Sequence, residues 1–127
     1  MYKRQRDDNG VETSESWELG VLRSSVSVDV EDTEDWNSIV TEYDAYGRIE
    51  YAVTYGDDGV ETHEVWLEGV LQGIVNIDAG DTQSWKHIST EFDEFGRISF
   101  VATREDNGVE TLESWSEGVV QISASYD

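Results

Sequence analysis

Four aspartates at equivalent places in the chain are the side chains best suited to bind a metal ion. Asp29 and Asp32 lie in one acidic loop, and Asp78 and Asp81 lie 49 residues further on. Ca²⁺ prefers about six to eight oxygen ligands, to which carboxylates contribute. We therefore predict these four aspartates as candidate calcium ligands. The alternative is that they accept hydrogen bonds from nearby backbone N–H groups and form turns, since two carboxylates per loop are only part of a calcium shell.

Three tryptophans recur at the same spacing and are candidates for ligand binding. Trp17, Trp66 and Trp115 each stand just before a turn, near acidic and threonine residues. A ladder of aromatic rings can stack on sugar rings, so a glycan is a candidate ligand. The alternative is that these side chains anchor the packing of the hairpins.

Catalytic chemistry is poorly supported. The chain has no cysteine and only two histidines, His63 and His87. Pairs of carboxylates could serve a glycosidase, but a chain with 29 acidic residues contains many chance pairs. The glutamates Glu15, Glu64 and Glu113 recur like scaffold positions, whereas a catalytic site usually interrupts a repeat. We predict no catalytic residue and no enzymatic activity.

The acidity of the chain limits its partners. The 29 acidic and 8 basic residues give a net charge of −21, which repels nucleic acid and anionic membranes. No apolar run approaches the roughly 20 residues of a membrane-spanning helix, so membrane insertion is not expected. Residues 1–6 lack the apolar core of a signal peptide, so a signal for export would lie outside this chain.

The candidate residues belong to an internal repeat of 49 residues. Turn signals containing Gly10, Gly59 and Gly108 are separated by this interval, and Trp36 matches Trp85 at the same offset. We read a single repeat domain over residues 1–127. It consists of a partial unit 1–7, two full units 8–56 and 57–105, and a partial unit 106–127.

Each unit is predicted to form four β-strands. Apolar and polar residues alternate with period two, which predicts strands at about 11–17, 21–30, 36–43 and 48–55 in the first full unit. Asn-Gly and Asp-Gly dipeptides between such runs indicate hairpin turns in which both central residues have positive φ. We predict an all-β antiparallel meander of about eleven strands, forming an open or spiralling sheet. Propeller-like blades are the alternative.

One turn sequence resembles a known family. Residues 43–49 read Tyr-Asp-Ala-Tyr-Gly-Arg-Ile, and residues 92–98 read Phe-Asp-Glu-Phe-Gly-Arg-Ile. They resemble the YD repeat of rearrangement-hot-spot proteins, which implies a β-sheet spiral that encloses a toxin or forms cell-surface scaffolding. The acidic units are also similar to repeats of large secreted bacterial calcium-dependent surface proteins. Neither resemblance implies a catalytic residue, and we predict that Arg48 and Arg97 pair with Asp44 and Asp93.

Two classes of function follow. The first is a structural or adhesive module of a secreted or cell-surface bacterial protein, whose partners are neighbouring repeats or further copies of itself. The second is a carbohydrate- or calcium-binding module that uses the recurrent tryptophans and acidic loops.

Overall fold

The computed structural model describes residues 1–126, which form eleven β-strands in a single sheet. They are β1 (Tyr2–Arg6), β2 (Val11–Glu18), β3 (Val21–Asp29), β4 (Trp36–Tyr43), β5 (Ile49–Gly56), β6 (Val60–Leu67), β7 (Val70–Asp78), β8 (Trp85–Phe92), β9 (Ile98–Glu105), β10 (Glu110–Ser116) and β11 (Val119–Tyr126). Each strand pairs antiparallel with its neighbours in sequence, and the sheet is open. The predicted open meander is therefore confirmed, and propeller blades do not form. No helix within residues 1–126 could cross a membrane.

The connections lie at two opposite ends of the sheet. We call one the acidic end; it consists of the turns 7–10, 57–59 and 106–108 and the loops 30–35 and 79–84. We call the other the aromatic end; it consists of the turns 19–20, 44–48, 68–69, 93–97 and 117–118. An eight-residue strand spans about 26 Å, so this distance separates groups at the two ends.

The turn chemistry differs from the prediction at the Asn-Gly and Asp-Gly sites. Gly10 has φ +84°, but Asn9 is not among the residues with positive φ. The Gly10 N–H donates to the Asp7 carbonyl at 3.0 Å, and the Asn9 carboxamide accepts a hydrogen bond from the Val11 N–H at 3.1 Å. This longer connection combines a type I turn with a left-handed glycine, so only the glycine needs positive φ.

Turns with two consecutive positive φ angles occur instead at the aromatic end. They are Leu19-Gly20, Glu68-Gly69 and Glu117-Gly118, where the non-glycine residues have φ of 50°, 51° and 52°. Two consecutive positive φ angles are those of a type I′ turn, which is one of the two turn types that match the twist of the strands across a two-residue loop. The residues at these first positions are not the asparagine or aspartate that such a turn favours, so the sequence indicated a tight turn at each of these glycines but not its type.

The strand register divides the side chains between two faces, because directly paired residues point to the same side and successive residues alternate. We define the constant face by positions that carry the same or a similar residue at 49-residue intervals. Its members in β2 are Val11, Thr13, Glu15 and Trp17. The variable face is defined by the positions that alternate with these, and many of its residues change between units. Ser14, for example, is matched by His63 and Leu112.

The sheet is a single layer without a closed hydrophobic core. Within residues 1–126 only three hydrophobic side chains are buried, those of Val11, Ala52 and Val53. The accessible surface is 8111 Å², whereas a compact protein of this mass exposes about 6,800 Å². On the variable face, Val65 and Leu67 are 47% and 62% exposed. Contacts between neighbouring strands must therefore supply much of the stability.

Hydrogen bonds between side chains on adjacent strands recur on the constant face. Thr13 Oγ1 lies 3.2 Å from Ser27 Oγ, and the Thr62 hydroxyl donates to Asn76 Oδ1 at 2.9 Å. Thr111 Oγ1 makes the same kind of contact with the Ser125 hydroxyl at 3.1 Å. The repeated threonine thus holds the first and second strands of successive units together.

Candidate functional site

The first candidate site is built on the acidic loops, where Asp29 and Asp78 bind the backbone. Asp29 Oδ1 accepts a hydrogen bond from the Thr33 N–H at 3.0 Å, and Oδ2 accepts one from the Glu34 N–H at 2.9 Å. Asp78 accepts the equivalent bonds from Thr82 and Gln83. These are the bonds of turn-forming aspartates. Oδ1 of each aspartate also accepts a hydrogen bond from the hydroxyl of the same threonine at 3.3 Å, so it is Oδ2 that retains a lone pair that could face a cation.

Each acidic loop is also held between two neighbouring turns. The Thr33 hydroxyl donates to the Asn9 carbonyl of the preceding turn at 2.7 Å. On the other side, the Asp57 N–H donates to the Asp35 carbonyl at 3.0 Å. In the next unit the Asp106 N–H donates to the Ser84 carbonyl at 3.1 Å. These backbone bonds bring an aspartate from the following turn against the loop.

The result is a pair of three-carboxylate groups, which we call the acidic clusters. One consists of Asp29, Asp32 and Asp57, the other of Asp78, Asp81 and Asp106, and within each cluster one oxygen per residue lies within 4.8 Å of the others. The four predicted aspartates therefore meet in two pairs, as expected from the repeat. Sequence reasoning missed Asp57 and Asp106, although their 49-residue spacing was a signal that could have found them.

The charges in the first cluster interact unfavourably. Burial raises the pKa of the Asp57 carboxyl, and the negative charges and hydrogen bonding of Asp32, followed by the charges of Asp29 and Asp35, raise it further. Burial also tends to raise the pKa of Asp29, but the hydrogen bonds from Glu34 and Thr33 outweigh this effect and lower it. Folding therefore assembles like charges that a bound cation would neutralise.

The second candidate site is the tryptophan series. Trp17, Trp66 and Trp115 lie on the constant face and are half-buried. Their Nε1 atoms are buried and have no hydrogen-bond partner in the protein. The indole N–H groups are thus enclosed, and only part of each ring surface remains for contact with a ligand.

Trp66 borders a shallow depression at the aromatic end. The depression has a volume of about 280 Å³ and is also lined by Tyr46 and Arg48. Arg48 Nε donates to Asp44 Oδ2 at 2.9 Å, and its guanidinium lies 5.1 Å from the centre of the Tyr46 ring. This confirms the predicted pairing of Arg48 with Asp44.

The equivalent turn in the next unit has the same geometry. Arg97 Nε donates to Asp93 Oδ2 at 3.1 Å and its guanidinium lies 5.1 Å from the Phe95 ring centre. In both turns Oδ1 of the aspartate accepts two backbone N–H groups at 2.9 Å. The Arg97–Asp93 pair was also predicted. The aspartate and arginine of this motif are therefore occupied in holding the turn.

The two candidate sites do not combine into one. The acidic clusters lie at the acidic end, whereas the three tryptophans stand next to the turns of the aromatic end. No family model and no curated protein matches the sequence.

Proposed function

We propose that this chain is a non-enzymatic structural or adhesive β-repeat module and a segment of a secreted or cell-surface bacterial protein. The observation that carries the proposal is the constant face, where most positions carry the same or a similar side chain every 49 residues along a single-layer sheet. A repeated surface suits a scaffold of variable length, because each unit contacts only its neighbours. The variable face then carries what differs between units.

The chemistry of the chain supports a scaffold more than a catalyst. Within residues 1–126 no polar or charged residue is buried, whereas catalytic groups usually have pKa values tuned by burial in a cleft. The lowered pKa of Asp44 has a structural cause, since the Arg48 N–H donates to its carboxylate, as do the Tyr46 N–H and the Arg48 guanidinium. The resemblance to YD repeats is consistent with this role, because the aspartate and arginine of the motif stabilise a turn.

The scaffold proposal is tested by lengthening the chain by one unit. Residues 57–105 are duplicated in tandem, so that the second copy follows Glu105 and precedes Asp106. We expect the variant to fold with four more strands, a sheet about 19 Å longer and a higher free energy of unfolding, because another pair of units is in contact. Small-angle scattering and urea denaturation measure both quantities.

The matched control duplicates residues 57–78 only. This insertion also adds an even number of strands, but it omits the acidic loop. It places the first strand of a unit on the side of the second strand that normally pairs with the third strand. We expect it to lower the stability. The scaffold proposal is wrong if the full-unit duplication is destabilised as much as this control.

Calcium binding is a second candidate function, favoured by the convergence of a third carboxylate in each acidic cluster. We expect calcium to raise the melting temperature and EDTA to reverse the rise. The double variant Asp57→Asn/Asp106→Asn should lose this response. The double variant Glu42→Gln/Glu91→Gln, which changes exposed residues of the variable face, should keep it. No change in melting temperature on adding calcium to the unaltered chain would refute this function.

Glycan binding by the tryptophan series stays a prediction. It requires that the partly enclosed rings of Trp17, Trp66 and Trp115 still accept a sugar. Binding on a glycan array that disappears in Trp66→Ala, with the circular dichroism spectrum retained, would support it. Absence of array binding by the unaltered chain would count against it.

A further inference from the structure

A glycine in the middle of a strand opens a second depression, on the variable face. Gly73 lies in β7 and pairs with Val65 of β6 on one side and with Glu91 of β8 on the other. Val75 and Ser89 form the next pair along the same face. These five residues are among those that line a depression with a volume of about 410 Å³, which we call the Gly73 depression.

The backbone does not require a glycine at this position. Gly73 is not among the glycines with positive φ. It stands beside a β-bulge, but the same bulge occurs in the other units, where Ser24 and Ile122 take its place. A glycine inside a strand weakens it and often marks the close approach of a ligand. The position therefore points to a bound group more than to a need of the fold.

The wall of the depression is also specific to this unit. Val65 is 47% exposed, and Ser16 and Ser114 stand at the equivalent positions of the other units. Where the first unit has Ser16 and Ser24, the second has an apolar side chain and no side chain. Within residues 1–126, the second unit alone combines an exposed apolar wall with an opening at Gly73.

The charges near the depression favour a cationic partner. Glu91 is exposed, and within the described part of the chain its carboxylate forms no ion pair. Strands β4 to β7 contain no lysine or arginine. A second copy of the chain would bring a net charge of −21 of its own, so like charges would oppose its approach. A partner that carries positive charge beside an apolar group is attracted instead.

We propose that the Gly73 depression binds a basic peptide segment in which one large apolar side chain is flanked by lysine or arginine. The apolar side chain enters above Gly73 and contacts Val65 and Val75, and a flanking cation lies beside the Glu91 carboxylate. An aromatic residue suits the apolar position, because it offers a large contact area with few rotatable bonds. This inference assigns a ligand to one unit, so it goes beyond the scaffold role and can fail without refuting it.

Three capped tripeptides serve as probes. Ac-Lys-Trp-Lys-NH₂ has both features, Ac-Lys-Ala-Lys-NH₂ lacks the large apolar group, and Ac-Glu-Trp-Glu-NH₂ reverses the charge. Each is titrated into the ¹⁵N-labelled chain at about 0.15 M salt, which screens diffuse attraction. Amide chemical shifts then give the site and the Kd. We expect Ac-Lys-Trp-Lys-NH₂ to shift the amides of Val65, Gly73, Val75 and Ser89, and the other two probes to bind at least about fivefold more weakly.

Two substitutions give the second unit the residues of the first. Gly73→Ser and Val65→Ser place serine where Ser24 and Ser16 already stand in the first unit, so both variants should fold, as circular dichroism will check. We expect each to weaken binding of Ac-Lys-Trp-Lys-NH₂ by about fivefold, because less apolar surface is buried. Ser24→Gly is the matched control, since it changes the equivalent position of the first unit and should leave the Kd unchanged.

Glu91→Gln tests the contact with the cation. We expect it to weaken binding of Ac-Lys-Trp-Lys-NH₂ by about threefold, as for an exposed ion pair. Glu42→Gln removes the same charge at the equivalent position of the first unit, four strands or about 19 Å away, and should have no effect.

The inference is overturned if Ac-Lys-Trp-Lys-NH₂ at about 10 mM shifts no amide of the depression, or if its shifts spread evenly over the acidic chain. It is equally overturned by equal binding of Ac-Lys-Ala-Lys-NH₂, by undiminished binding to folded Gly73→Ser and Val65→Ser, or by self-association of the chain that shifts the same amides. Localised shifts and a preference for the first probe support it. The comparison of probes on the unaltered chain decides the question if a variant does not fold.

Discussion

Replacing Glu68 by asparagine should stabilise the protein, because the backbone at this position favours asparagine. Glu68 has φ +51° and is followed by Gly69 with φ +81°, as in a type I′ turn. The left-handed region is about 1–2 kcal/mol less favourable than the right-handed region for a residue with a β-carbon. Asparagine tolerates the left-handed region better and is preferred at the first position of a type I′ turn. We expect Glu68→Asn to raise the free energy of unfolding by about 0.5–1 kcal/mol.

The matched control is Glu94→Asn. Glu94 is also an exposed turn glutamate at the aromatic end, but its φ is not positive. Both substitutions remove one negative charge, so the difference between them isolates the backbone effect. Urea denaturation of the three proteins at equal ionic strength measures it, and the slope with denaturant should not change.

The same stabilisation is expected at the two turns that are equivalent to Glu68-Gly69 in the other units. Leu19→Asn and Glu117→Asn change the other two residues of this kind. The turns are four strands apart, about 19 Å, so their contributions should add. The triple variant should gain about 2 kcal/mol, or roughly 6–10 °C in melting temperature. Equal stability of Glu68→Asn and Glu94→Asn would refute the assignment of strain to these turns.

Three further outcomes are expected. Gly59→Ala should lower the free energy of unfolding by more than about 2 kcal/mol, because φ is +83° and a β-carbon would lie 2.8 Å from the Gly80 Cα. Gly108 also has a positive φ, but a β-carbon there would meet no other atom, so Gly108→Ala should lower it by only about 1 kcal/mol. Thermal unfolding measures both changes. The pKa values of Asp44 and Asp93 are lowered in the folded protein, so their ionised carboxylates stabilise the fold at pH values above the pKa of the unfolded chain, which is near 4. The double variant Asp44→Asn/Asp93→Asn should therefore be less stable than the unaltered chain at neutral pH. The difference in free energy of unfolding should disappear as the pH falls below about 4 in an acid titration. Small-angle scattering of the monomer should give a radius of gyration of about 17 Å for a flat sheet, and a value near 14 Å would indicate compact packing instead.

Much of the fold could be predicted because its contacts are local. In the first full unit, the predicted strands 11–17 and 36–43 differ from the observed β2 and β4 by no more than one residue. Period-two alternation and a glycine at each turn suffice for this, since every strand pairs with its neighbours in sequence. The turn types could not be predicted from residue preferences, because a two-residue loop imposes positive φ on Leu19 whatever its side chain prefers.

The candidate site could be predicted only in part for a related reason. Asp29 and Asp32 lie in one loop, so their sequence positions alone placed them together. Asp57 reaches the same loop from the turn after β5, by way of the backbone bond between its N–H and the Asp35 carbonyl. The pairing of β4 with β5 brings that turn to the acidic end, and no local pattern reveals the distance between the three carboxylates.

Hydrophobic alternation and turn residues were sufficient to predict the strands, their order and the 49-residue unit, because both act over short stretches of chain. The structure was needed to show which side chains of neighbouring strands share a face and which carboxylates meet. Those properties depend on register and strand direction, and a single bulge or one more strand would change them. The acidic clusters are therefore a consequence of the assembled sheet.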